Sequence, residues 1–368
     1  MLLLLGSPLM FFYFYNDSPD TTIFNADVQM DASQVPPLTL NTSHIYSWQR
    51  CERNMSVNST TEFHSFPDRM KDFLYYRHCR HFPMILDVPD KCGGAERSSE
   101  VFLLLVIKSS PENHDRRETL RKTWANETSH NGKWIRRLFL TGMTGTGFEK
   151  KRLNKVLELE QRHHRDILQW DFVDTFYNLT LKQVLFLEWM ERNCPKVRFL
   201  LNGDDDVFVN SNNVVKYLQS LKDNDGSQHL FIGCLIEGMP PIRGPHSKYF
   251  VPVQVHESKS YPPYCSGGGF ILSGYTALVI YNMSQSIALI PIDDAYMGMC
   301  MAKAGLRPSL HRGVKTFGLD VLSKHADRFD PCFYKELLLV HRFLPSQTYF
   351  MWHQINDPEL KCFGNVKK

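Results

Sequence analysis

Apolar and polar positions change rhythm near Ser98. From there, short apolar runs alternate with stretches of helical period. Residues 101–107 read as a buried strand, and a helix initiated at Pro111 reaches Trp124 with Leu120 and Trp124 on its core face. A strand at 138–141, a helix at 148–163, a strand at 167–169 and a helix at 179–191 lead to an apolar strand at 199–201. That βαβα order predicts an α/β fold, a mostly parallel sheet with helices on both faces. Further strands are expected at 230–233, 249–255 and 270–272. A helix then runs from about Gly274 to before Pro291, another from Pro291 to about Ala304, a late strand over 335–343 and a closing helix to Ile355. Residues 16–97 carry scattered prolines and few periodic apolar runs. They predict an extended stem and a loop-rich region around Cys51, Cys79 and Cys92, with little core.

The N-terminal fifteen residues are almost unbroken apolar, interrupted by Gly6, Ser7 and Pro8. They read as a truncated signal or signal-anchor segment, because a membrane span needs roughly 17 to 25 residues and no Lys or Arg precedes Arg50. Either reading sends the chain across a membrane. Seven Asn-x-Ser/Thr sequons, at Asn16, Asn41, Asn54, Asn58, Asn126, Asn178 and Asn282, agree with export. Nine cysteines without Cys-x-x-Cys spacing fit an oxidising compartment. The odd count leaves a free thiol or a bridge to another chain, as in a homo- or hetero-dimer, and a disulfide at Cys362 would tie down the tail. The domains expected are therefore 1–15 signal segment, 16–97 stem and 98–368 catalytic domain. A length of 368 residues with 43% hydrophobic and 22% charged positions suffices for one large core. The net charge of +3 gives no broad field for nucleic acid.

The chemistry concentrates in residues 199–209. Asp204, Asp205 and Asp206 directly follow a buried-strand pattern and precede another apolar strand. Three like charges at a strand end call for a cation. Hard oxygen ligands of this kind suit Mg²⁺ or Mn²⁺ that also holds a substrate diphosphate, and open α/β sheets place ligands at the carboxyl ends of their strands. A solvated acidic turn is the alternative. Asp293 and Asp294 form a second acidic pair at a helix start, where a carboxylate serves either as a cap or as a base. Gly267, Gly268 and Gly269 allow close backbone approach to a ligand, or make a flexible turn. Arg116, Arg117, Arg121 and Lys182 lie on helices and offer a pyrophosphate clamp, or solvated pairs with acids. His311 is a metal ligand or a structural histidine. Tyr261 and Tyr264 offer aromatic faces to a sugar. No Gly-x-Ser-x-Gly elbow, His-Glu-x-x-His or Walker loop is present, so hydrolase and kinase readings lose support.

In order, FLLLVIKSS (102–110), RRETLRKTW (116–124), DILQWDF (166–172), NLTLK (178–182), LNGDDDVFVN (201–210), YPPYCSGGGF (261–270), PIDDAYMGMC (291–300) and LLLVHRF (337–343) resemble the β-1,3-glycosyltransferase family over residues 98–362. The wording is nearest to its β-1,3-N-acetylglucosaminyltransferases, of the type that extends core 1 O-glycans or poly-N-acetyllactosamine. The resemblance implies a GT-A fold, Rossmann-like, and type II Golgi membrane topology with a lumenal catalytic domain. It also implies a UDP-GlcNAc donor, Mn²⁺ or Mg²⁺, a glycan acceptor on glycoprotein or glycolipid, and inverting single displacement. Carried over by motif, Asp204 and Asp205 orient nucleotide and sugar, Asp206 binds the metal, and Asp294 is the base with Asp293 as the alternative. Arg117, Arg121, Lys182, Gly268 and Gly269 fall in donor-pocket motifs. The sequence departs from the family where a four-glycine run becomes Cys265-Ser266-Gly267-Gly268-Gly269 and where Asp-Asp-Val becomes Asp293-Asp294-Ala295. A β-1,3-galactosyltransferase using UDP-galactose and a non-catalytic lumenal sugar-binding protein are the competing readings.

Overall fold

A computed structural model describes residues 49–130, 133–316 and 330–362. The expected signal segment and residues 16–48 of the expected stem lie outside the described residues. Among the described residues no helix is long and apolar enough to cross a membrane.

The chain enters through helix α1 (Asp68–Tyr76), strand β1 (Met84–Leu86) and the short α2 (Gly94–Arg97). Next come β2 (Val101–Lys108), α3 (His114–Lys122), β3 (Thr128–His130), β4 (Lys133–Met143), α4 (Gly147–His164), β5 (Ile167–Val173) and α5 (Leu179–Asn193). β6 (Phe199–Asp204), β7 (Val207–Val209) and α6 (Ser211–Ser220) surround the acidic triplet. The second half adds β8 (Phe231–Gly233), β9 (Leu235–Ile236), β10 (Tyr264–Cys265), β11 (Gly269–Ser273), α7 (Gly274–Ser284) and α8 (Asp293–Lys303). β12 (Ser309–Leu310), β13 (Val314–Lys315), α9 (Pro331–Lys335), β14 (Leu339–His341) and α10 (Pro345–Ile355) complete it.

The main sheet runs β1-β5-β4-β2-β6-β11-β8-β12, with β3 on β4. Its centre, β5-β4-β2-β6, is parallel, and β11 turns antiparallel against β6. All eight residues of β2 are buried. Successive side chains alternate between two apolar layers, Leu104 and Val106 into one, Leu103, Leu105 and Ile107 into the other. That double burial is why the run reads as continuously apolar. The β2–β6 register sets Lys108 opposite Asp204, and β11 sets Gly269 opposite Gly203. A smaller sheet, β13-β14-β7, pairs His341 with Val207 just beyond the triplet.

Four expectations need correction. Residues 49–97 are not core-poor: Phe66, Met70, Phe73 and Leu74 pack with Trp189 and Phe270 in one apolar cluster. Their helical spacing is a short stripe that the prolines and sequons around it obscure. The strand expected at 249–255 does not form. Pro252 has no N–H to give a ladder, and the carbonyls of Val251 and Val255 accept from Arg243 (2.7 Å) and Arg77 (2.7 Å) instead. The late strand narrows to Leu339–His341, and its expected first residue, Lys335, ends α9. Helix α6, capped by the Asn210 side chain accepting from Asn213 N–H (3.2 Å), was not foreseen.

Three disulfides form, Cys51–Cys79, Cys92–Cys194 and Cys332–Cys362, and the last ties the C-terminal segment as expected. Cys234, Cys265 and Cys300 are free. Asn178 is buried and its side-chain amide donates to the Val173 carbonyl (2.8 Å), so this sequon is closed to a glycan in the folded chain.

Candidate active site

The triplet splits into two roles because the chain turns sharply after β6. Asp205 points inward and accepts from Ser109 Oγ (2.7 Å), Asn113 Nδ2 (2.8 Å) and Arg116 Nη1 (3.2 Å), which anchor the turn on the start of α3. Burial still pushes its carboxyl up against those three donors. Asp204 and Asp206 instead converge with His341. His341 Nε2 lies 3.1 Å from Asp206 Oδ1 and 3.9 Å from Asp204 Oδ2, and ligand atoms of the three residues lie within 4.8 Å of one another. Asp206 Oδ1 is buried without a well-aligned donor. Two carboxylates and one imidazole converging on one point form an oxygen-rich set that fits Mn²⁺ or Mg²⁺. Burial opposes ionisation of Asp206, yet His341 and Arg116 hold its carboxyl below the usual range. Burial likewise works against the His341 cation, and Asp206 and Asp204 raise it nonetheless.

The glycine run makes this approach feasible. A Cβ on Gly268 would stand 2.6 Å from His341 Cγ, and one on Gly269 would stand 2.5 Å from Leu339 Cδ1. A side chain at Gly268 would push His341 away from the triplet, and one at Gly269 would displace the Leu339 side chain. On Gly267 a Cβ would lie 3.4 Å from Asp294 Oδ2, so the run passes between the two acidic centres.

Lys108, buried at the end of β2, links those centres. Its Nζ is 3.2 Å from Asp204 Oδ1 and 2.6 Å from Asp293 Oδ2. Burial penalises this cation, but the two carboxylates hold its pKa above the ordinary lysine value. Asp293 therefore has a dedicated partner. Asp294 has none of that kind. It accepts only from nearby backbone, with Ala295 N–H at 2.8 Å, and burial followed by the charge of Asp293 pushes its carboxyl up to about 7. The N-cap position of α8 is Ile292, which offers no side-chain acceptor, and Asp294 takes up one first-turn N–H in its place. The two acids that looked alike in sequence are thus a paired carboxylate and a carboxyl poised near neutrality, the condition for a general base.

The expected clamp residues serve beneath the site. Arg117 is fully buried, donating to Glu160 (2.7 and 2.9 Å), Ser109 Oγ (3.0 Å) and the Ser110 carbonyl (2.6 Å). Lys182 holds the Ser109 carbonyl (2.8 Å) and Asp174 (2.8 Å). Both pin the segment that receives Asp205. Arg121 spends its donors on Glu118, Glu160 and Asp166. His311 is also corrected: it accepts from Gly313 N–H (3.1 Å) and packs edge-on against Tyr217, and it belongs to no metal-capable group among the described residues. The histidine brought to Asp204 and Asp206 is His341. Of the expected clamp residues, Arg116 alone reaches the triplet, beside Asp205 and Asp206, and sequence reasoning missed Lys108 and His341. A lysine closing an otherwise apolar strand and a histidine closing LLLVH were the available signals.

The family model described as Galactosyltransferase matches residues 115–311, more than half of the chain. A human acetylgalactosaminyl-O-glycosyl-glycoprotein β-1,3-N-acetylglucosaminyltransferase is 48% identical over 94% of this chain and 88% of its own. A human N-acetyllactosaminide β-1,3-N-acetylglucosaminyltransferase 3 is 50% identical over 86% and 82%. A solved galactosyltransferase in complex with donor and acceptor sugar analogs overlaps 70% of this chain and 98% of its own at TM-score 0.36 and 10% identity, a likeness too slight to build on. By the family match and by relatives near half identical along most of their length, the chain belongs to the galactosyltransferase family.

Proposed function

We propose that this chain is an inverting β-1,3-N-acetylglucosaminyltransferase of GT-A type that moves GlcNAc from UDP-GlcNAc to a terminal galactose of glycoprotein or glycolipid glycans. The observation that carries the reading is the pair of unlike acidic centres, Asp204/Asp206/His341 on one side and Asp294 on the other, joined through Lys108. The names of the relatives supply the donor sugar and the acceptor class. Asp204, Asp206 and His341 would hold Mn²⁺ or Mg²⁺, which when bound offsets the charge that develops on the departing diphosphate. Asp294 takes the proton from the acceptor 3-hydroxyl as that oxygen bonds to the anomeric carbon and the bond to UDP breaks, inverting the centre. No enzyme nucleophile is needed. Lys108 holds Asp293 and Asp204 in place through its two ion pairs, and Asp205 braces the turn. The export signals, sequons and disulfides support a Golgi membrane protein of type II, anchored through its N-terminal segment with a lumenal catalytic domain. A free thiol leaves a homo- or hetero-dimer open to test on non-reducing gels.

Purified protein offered UDP-GlcNAc and UDP-galactose in parallel, with core 1 and N-acetyllactosamine acceptors, tests the donor and acceptor. β-linked GlcNAc at O3 of galactose is expected. Galactose transfer instead would establish the β-1,3-galactosyltransferase reading, and no UDP release with any acceptor would favour a sugar-binding protein.

A further inference from the structure

A second cluster of metal-capable side chains lies outside the acidic turn, in a groove between α3 and α4. His114 and Glu118 stand one turn apart on α3, and Glu160 and His164 one turn apart on α4. Each histidine meets the acid of the other helix: His114 Nδ1 is 3.0 Å from Glu160 Oε1, and His164 Nε2 is 3.2 Å from Glu118 Oε1. Ligand atoms of His114, Glu118 and Glu160 lie within 4.8 Å of one another, and all four residues line a groove of about 540 Å³. His114 Nδ1 is buried there without a well-aligned hydrogen bond.

We propose that this groove is a second metal site, taking a borderline divalent transition ion such as Zn²⁺ through His114, Glu118, Glu160 and His164. Two imidazoles and two carboxylates form a set that zinc accepts, and separations of 3.0 to 3.2 Å approach the roughly 3.3 Å edge of a tetrahedron with bonds of about 2.0 Å. Glu118 and Glu160 are held in position from below by Arg117 and Arg121. The surroundings also select the ion. Glu118, Glu160 and Asp166 are matched by Arg117, Arg121 and Arg137, so no surplus negative charge draws a hard cation. Binding then depends on imidazole nitrogen, which favours Zn²⁺, Ni²⁺ or Cu²⁺ over Mg²⁺. An ion here would clip α4 to the helix whose Arg116 holds Asp205.

The experiment is calorimetric titration of the purified full chain with Zn²⁺, in an Asp206→Asn/His341→Gln background that silences the acidic turn. One equivalent should bind. Adding His114→Gln and His164→Gln should weaken that binding at least tenfold and abolish the zinc-dependent rise in melting temperature, while Mg²⁺ produces no such rise in either protein. Both histidines are partly exposed, so these variants should fold; if the quadruple variant does not, His164→Gln alone in the same background should weaken binding by tenfold. Undiminished zinc affinity without the histidines, or no zinc bound by the background protein, overturns the site.

Discussion

Asp206 and Asp294 are both partly buried carboxyls on either side of one glycine run, yet they are biased in opposite directions. Burial raises both; at Asp206 the neighbouring His341 and Arg116 outweigh it and hold the carboxyl below the usual range, whereas at Asp294 the charge of Asp293 adds to it and the carboxyl is pushed up to about 7. The difference lies in the neighbours and not in the residue. A strand end can collect cations from adjacent parallel strands, as Lys108 and Asp204 show, whereas the first turn of α8 offers backbone N–H groups and a second aspartate. One centre is thereby suited to hold a cation and the other to take a proton.

The largest test removes the first centre's cation. Treatment with excess EDTA should cost several kcal/mol of transition-state stabilisation, on the order of a thousandfold in rate, and Mn²⁺ should restore it. Full turnover under chelation would end the metal reading of Asp204, Asp206 and His341. Asp294→Asn comes next. It keeps size and shape, so folding and UDP binding should survive while kcat falls about a hundredfold or more. Near-normal transfer by a folded variant would pass the base role to Asp293. A smaller effect is expected of Gly268→Ala, which displaces His341. The Mn²⁺ concentration for half-maximal rate should rise about 10- to 100-fold with little change in acceptor KM; an unchanged Mn²⁺ requirement would detach His341 from the ion. The smallest effect is on the pH dependence.

For that last test, Asp294 must be ionised to act as base, so kcat/KM should fall as pH drops through about 7. The stability consequence has the opposite sign. A carboxyl whose folded pKa is raised from 3.8 to about 7 binds its proton more tightly when folded, so its contribution is fully favourable below about 4 and is lost as pH rises to about 7. Asp294→Asn should remove this loss. Urea unfolding at pH 5 and pH 8 should show the wild type losing more stability than the variant over that interval, and equal losses would mean that Asp294 is not perturbed.

The alternating βαβα half was legible because β2 and β6 are buried on both faces and their runs are unbroken. The acidic turn was legible for the same reason, since three aspartates between two apolar strands stand out. What failed was anything set by long-range pairing. His341 reaches the turn only because β14 pairs with β7, and His311, equally plausible from sequence, turns to Tyr217 instead. For Arg117 and Lys182 the sequence leaves a ligand clamp and pairing with acids both open, and it is Glu160 and Asp174, arriving from other elements, that claim the charge.

The Cys92–Cys194 bridge encloses β2, β4, β5 and the helices between them in a covalent ring with a sequence separation of 102 residues. Such a ring survives a single cut. A protease nicking the exposed turn around Gly145 would leave two fragments that still migrate as one species until a reductant is added. The ring also limits how far this half can expand when denatured, an entropic contribution of about 4.7 kcal/mol for a loop of about 100 residues. A host that keeps thiols reduced should therefore yield chains that expand fully and aggregate, whereas an oxidising host should return protein that refolds after dilution from denaturant.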